Sequence, residues 1–184
     1  MIEARFLIPG DLAAPTGGYA YARHLIGALP AHGVAVDAVA LPGSFPHPSA
    51  ADLAATAAVL ADTPREAVLL LDGLAYGALP PDIIAAANPR RMVALVHHPL
   101  GLEAGLREEQ STRLVASERA ALALAERIVV TSRFTRNLLT ESFSVPPERI
   151  AVAEPGTEPA PRAEGSGSPC VSLLAVGAVS PRKG

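Results

Sequence analysis

Residues 117–139, SERAALALAERIVVTSRFTRNLL, carry the pattern that decides the fold. Their first half lies on an apolar stripe, Leu114, Val115, Ala121, Leu122 and Ala125, with the spacing of one helix face. The stripe predicts a helix over 106–125. From Arg127 the pattern changes. Ile128, Val129 and Val130 are apolar in succession, as in a strand buried on both faces of a parallel sheet. Thr131 or Ser132 then suits the N-cap of a second helix, 132–143. A helix, a two-face-buried strand and a capped helix in succession are the unit of an open α/β fold.

The same alternation extends outward. Strands are predicted over 4–8, 34–40, 67–71, 92–96, 127–131 and 150–153, and further helices over 18–31, 49–61 and 80–87. Together they predict a Rossmann-like open parallel sheet with helices on both faces. Two stretches break the rhythm. Residues 41–48 hold three prolines and read as a loop, while 155–169 is rich in Pro, Gly, Ser and Glu and reads as solvated linker. The predicted organisation is a first domain over 1–158, a linker over 159–169, and a new unit from 170. That unit opens with an apolar run, 171–176, and the polar turn Ser180-Pro181-Arg182-Lys183-Gly184. It reads as the first strand and turn of a second domain, so the chain is expected to be cut from a longer protein. An apolar strand without its own sheet would pair with an edge strand, with a second copy, or be mobile.

Composition narrows the function. The chain has 184 residues, 49% of them hydrophobic and 4% aromatic, with no Trp, so its core must be Ala, Leu and Val. Mean hydropathy is +0.30, yet the apolar runs are strand-sized, far short of the ~20 residues of a membrane helix. The N-terminus, Met1 to Arg5, shows no signal-peptide pattern, which predicts a cytoplasmic protein. A net charge of −3, without Lys/Arg runs among aromatics, argues against nucleic acid as a partner. The single Cys170 excludes an intrachain disulfide or a cysteine-cluster zinc site, and its place at an apolar run predicts burial. No motif calls for a metal.

In such sheets ligands sit beyond the C-terminal strand ends. After the first strand, Gly17-Gly18 opens a helix where backbone N–H groups can meet an anion, or simply make a turn. After the third comes Asp72, which either accepts from sugar hydroxyls or caps the next turn. After the fourth come His97 and His98. Successive strand side chains point oppositely, so the pair does not chelate one metal; one ring faces the crevice and the other packs, or both serve only the loop. Val96 ends that strand, which makes His97 the first to emerge and His98 the lesser residue. Ser132 caps a helix and lies at the crevice, where it could also donate to an anion. Glu118 falls within the apolar arc of its helix: it is either buried with a partner, holding a crevice loop, or leans out at the stripe's margin.

These pieces, in order, resemble the N-terminal domain of the family-four retaining glycosyltransferases, built from two Rossmann-like domains in the GT-B architecture. "PTGGYAYARHLIGALPAHGVAVDAVAL" is similar to that family's glycine loop, first helix and second strand. "VHHPLGLE" resembles its histidine segment, "SERAALALAERIVVTSRFTRNLL" its helix–strand–Ser–helix segment including Glu118, "VAEPGTEP" its turn into the linker, and "LLAVGAVSPRKG" the opening of its second domain.

The resemblance implies transfer of a sugar from a nucleoside-diphosphate sugar to an acceptor hydroxyl, with retention. The donor is a substrate, and no cofactor is implied. Gly17, Gly18 and Ser132 would lie at the donor phosphates, His97 at the transferred sugar, and Lys183 with Arg182 at the leaving diphosphate. Asp72, His98 and Glu118 would serve the acceptor side or support it. The acceptor would be a glycan, a lipid or a small molecule, and peripheral membrane contact is compatible with the family. Many members carry Arg directly after the Gly of the second domain's strand, where this chain has Ala178. That departure leaves open a second reading, a non-catalytic nucleotide-binding or regulatory α/β module. A third, an NAD-dependent enzyme, lacks the GxGxxG fingerprint.

Overall fold

The computed structural model describes residues 1–87 and 91–171 together with 173, 174 and 176. Six strands form one sheet: β1 (Ile2–Pro9), β2 (Val34–Leu41), β3 (Val68–Asp72), β4 (Met92–Val96), β5 (Arg127–Val130) and β6 (Ile150–Val152). Every pairing is parallel, in the order β2-β1-β3-β4-β5-β6. The chain steps from β1 outward to β2, then returns to place β3 on β1's other side. The C-terminal ends of β1 and β3 therefore diverge into a crevice, the switch point of an open α/β sheet.

The helices are α1 (Gly17–Ala28), α2 (Ala50–Asp62), α3 (Gly73–Tyr76), α4 (Pro81–Ala87), α5 (Glu108–Leu124) and α6 (Arg133–Phe143). Strand alternation sorts the core into two layers. Leu7, Leu69, Leu71 and Val96 face α2, α4, α5 and α6 through Leu60, Ile84, Leu122 and Leu139. Phe6, Ile8, Leu70 and Leu95 face α1 through Ala22, with Leu25 and Ile26 beside it. Consecutive apolar residues in β3 are thus explained: both sides of that strand are buried.

The six strands and five helices predicted over 4–153 are found in order, with ends shifted by at most three residues. The first helix stops at Ala28 because Pro30 brings a 3-10 turn over Leu29–His32, closed by Gly33 at φ 78°. Sequence reading did not anticipate α3 or the 3-10 turn Leu100–Leu102.

The tail differs from expectation. The described residues of the apolar run, Val171, Leu173, Leu174 and Val176, form no strand and are exposed. Cys170, expected to be buried, is exposed as well. The reason is shared: an apolar side chain is buried only where a partner surface meets it, and no described element packs on this segment. Ala178, Arg182 and Lys183 lie outside the described residues.

Candidate active site

The switch-point crevice is a hollow of about 470 Å³, with Gly18, Asp72, His97 and His98 in its lining. Each is delivered by a different local device. Asp72 ends β3, is 2% exposed, and caps α3 by accepting the Leu74 N–H at 2.9 Å. Both roles foreseen for it, lining the crevice and capping a turn, therefore fall to one carboxylate. Gly73 follows, where a Cβ would stand 2.9 Å from the Leu95 carbonyl oxygen, so only glycine lets β3 turn this close to β4.

His97 follows the last residue of β4. Its backbone carbonyl accepts from Thr135 Oγ1 at 3.1 Å, and its ring meets Tyr21 edge-on, centroids 5.4 Å apart. Above it lies the first turn of α1, so close that a Cβ on Gly18 would stand 3.6 Å from Nε2. That nitrogen is buried and has no hydrogen-bond partner among the described residues. Burial holds the imidazole below its ordinary pKa, against the opposing pull of Asp72. Burial likewise holds Asp72 above the usual carboxylate range, against the Leu74 N–H and His97. The ring is therefore neutral at pH 7. Thr16 caps α1 by taking the Tyr19 N–H, which leaves the Gly17 and Gly18 N–H groups without an acceptor among the described residues.

His98 also lines the crevice, but its Nε2 is 3.1 Å from the Leu102 carbonyl oxygen, tying it to the following turn. The two glycines part company. Gly18 covers His97, whereas Gly17 lines a separate hollow of about 400 Å³ between α1 and the segment after β6. There His24 Nδ1 lies 3.6 Å from Glu158, and Tyr21 Oη donates to the Ala153 carbonyl.

Glu118 is buried, 1% exposed, and accepts the backbone N–H groups of Leu100 (2.8 Å) and Gly101. Desolvation raises its pKa to about 7 despite these two bonds. It thus holds the Leu100–Leu102 turn, which walls the crevice behind His98. Gly77 and Gly101 make room for the arrangement: a Cβ on Gly77 would stand 3.0 Å from Glu118 Cγ, and one on Gly101 2.7 Å from the Val115 nitrogen.

Ser132 is the N-cap of α6. Its Oγ accepts the Thr135 N–H at 3.0 Å and lies 2.9 Å from Thr135 Oγ1. Ser132→Ala is expected to cost about 1 kcal/mol, the usual worth of such a cap, read from urea unfolding.

Tyr21, Thr135 and Leu74 also belong to this site and were not singled out from sequence. Tyr21 had a signal. It stands three residues after Gly18, hence on the same face of α1. Thr135 had none, because its bond to the His97 carbonyl joins distant segments, and Leu74, though close to Asp72 in sequence, carries no polar mark.

A neutral imidazole under the positive end of a helix can donate to a hydroxyl or meet developing charge, while the carboxyl group on the adjacent strand end accepts. No curated protein matches the chain. Residues 15–160 do match the model of Glycosyltransferase Family 4, a span that takes in Gly17, Gly18, Asp72, His97, His98, Glu118 and Ser132 and stops before Arg182 and Lys183. With this sheet, this crevice and that match over most of its length, the chain belongs to Glycosyltransferase Family 4.

Proposed function

We propose that these residues form the acceptor-side domain of a transferase that moves a sugar from a nucleoside diphosphate to an acceptor hydroxyl with retained configuration. The observation that carries this is the buried, partnerless Nε2 of His97 beneath the free N–H groups of α1, at the switch point of the sheet. The bond from the anomeric carbon to the diphosphate oxygen breaks, and the acceptor oxygen attacks from the same face. The acceptor proton passes to the departing oxygen. His97 faces the reacting sugar, the Gly18 amide at the start of α1 faces the diphosphate, and catalysis is chiefly electrostatic. Ser132 adds a hydroxyl near the phosphates. Asp72 orients acceptor or sugar hydroxyls, and His98 and Glu118 keep the crevice wall in place.

The donor half belongs to a second domain that begins at residue 170, after the linker over 159–169. Arg182 and Lys183 of its first turn neutralise the diphosphate. What supports this division is a sheet whose six strands end at Val152, followed by described residues that form no helix or strand.

The test is a panel of nucleotide sugars and simple glycoside acceptors, with the anomeric coupling of any product read by NMR. Retained configuration is expected from protein carrying a nucleotide-binding domain after residue 170, and no turnover from the 184 residues alone. An inverted product, or efficient transfer by the 184 residues, would overturn the reading.

A further inference from the structure

The crevice has two unlike halves. Asp72 and His97 sit at strand ends with Gly18 of α1 over them, while Leu74, Leu100, Leu106 and Leu114 with Pro46 supply the apolar lining. Leu74 is 38% exposed, a large apolar side chain turned to solvent next to the buried Asp72 carboxylate. Its backbone N–H is the one Asp72 accepts, so a single cap sets the carboxylate and the leucine together. Among the described residues no Lys or Arg lines this hollow; its ionisable groups are Tyr19, Asp72, Glu103 and the histidines at 47, 97 and 98.

We infer that the acceptor is uncharged where it enters this crevice and carries an alkyl or aromatic body next to its reactive hydroxyl. The inference rests on the proposed transferase reading and names its acceptor class. On the leucine side of the crevice a phosphate or carboxylate would find no Lys or Arg among the described residues and would give up hydration for apolar contacts. An apolar body gains by covering the leucines, and the volume of about 470 Å³ lies within the ~300–1,000 Å³ typical of sites for molecules of that size.

The experiment titrates the 184-residue chain with three probes: octyl β-glucoside below its micelle concentration, methyl β-glucoside, and glucose 6-phosphate. Octyl glucoside is expected to bind about tenfold tighter than methyl glucoside or better, as covering even two methylenes at ~0.8 kcal/mol each requires. Glucose 6-phosphate should bind no tighter than methyl glucoside. Leu74→Asn, at an exposed position that tolerates polarity, should erase most of the octyl advantage; Leu106→Asn is the second variant. Tighter binding of the phosphate, or an octyl advantage untouched by both variants, would overturn the inference.

Its failure is distinct from that of the transferase reading. Transfer to methyl glucoside as efficient as to octyl glucoside would sink the acceptor class alone. Leucine-dependent octyl binding in a protein that never transfers sugar would sink the transferase reading alone.

Discussion

Glu118→Ala is expected to unfold at pH 5 with about 3–5 kcal/mol less stability than the native chain. Two backbone donors, Leu100 N–H and Gly101 N–H, lose their acceptor inside the protein. Each orphaned donor costs ~1–3 kcal/mol, and the emptied volume adds to it. Glu118→Gln keeps one acceptor and should lose far less. The two variants also separate by pH. In the folded chain the Glu118 carboxyl titrates near pH 7, against an ordinary value of 4.5. A pKa raised on folding gives stability that is full below the unfolded value and is lost as pH rises through the folded one. The native advantage over Glu118→Gln should therefore shrink between pH 4.5 and 7 by up to about 3 kcal/mol, since a tenfold change in proton affinity is worth ~1.4 kcal/mol. His97 slopes the other way, because its lowered pKa makes acid destabilising below its ordinary range. Subtracting the Gln curve removes that contribution. Denaturant unfolding across this window is the measurement, and a flat or rising difference would mean that the carboxylate is not held as described.

His97→Ala, in protein carrying the nucleotide domain, is expected to lower turnover by ~10²–10³-fold, the cost of removing one oriented donor at developing charge. Its effect on melting should be modest. The ring packs edge-on against Tyr21, and Thr135 bonds the His97 backbone carbonyl, which alanine retains. His98→Ala gives up the bond to Leu102 and should reduce turnover less. Turnover in the native protein should hold below pH 6.5, where an exposed histidine is already protonated, because burial keeps this imidazole neutral. Near-normal turnover in His97→Ala, or a loss that tracks unfolding, would remove His97 from the chemistry.

Sequence made the sheet readable because burial on both faces leaves a mark in each strand separately: 68–72 and 92–96 are apolar almost throughout. It also brought Asp72 and His97 to strand ends, since the end of an apolar run is a local signal. What it could not weigh was contact between distant segments. Glu118 reads equally well as buried or marginal until the Leu100–Leu102 turn is seen to fold back on it. Gly17 and Gly18 read as one phosphate turn, yet a helix rotates successive residues by about a hundred degrees and sends them to different hollows. The run at 171–176 has the composition of a buried strand, but composition does not supply the sheet that would bury it.

The register of β3 on β4 pairs Asp72 with Leu95, two residues before His97. Along a strand, position changes only in steps of ~3.3 Å, and each step reverses the face a side chain points to. The separation of carboxylate and imidazole is therefore quantised. Relatives of this protein can lengthen or shorten the loops around the crevice by any number of residues, but a one-residue insertion or deletion within β4 would turn the histidine to the opposite side of the sheet. A change in the shape of this crevice that keeps both groups in place is therefore expected to run through its loops, with β3 and β4 unchanged in length.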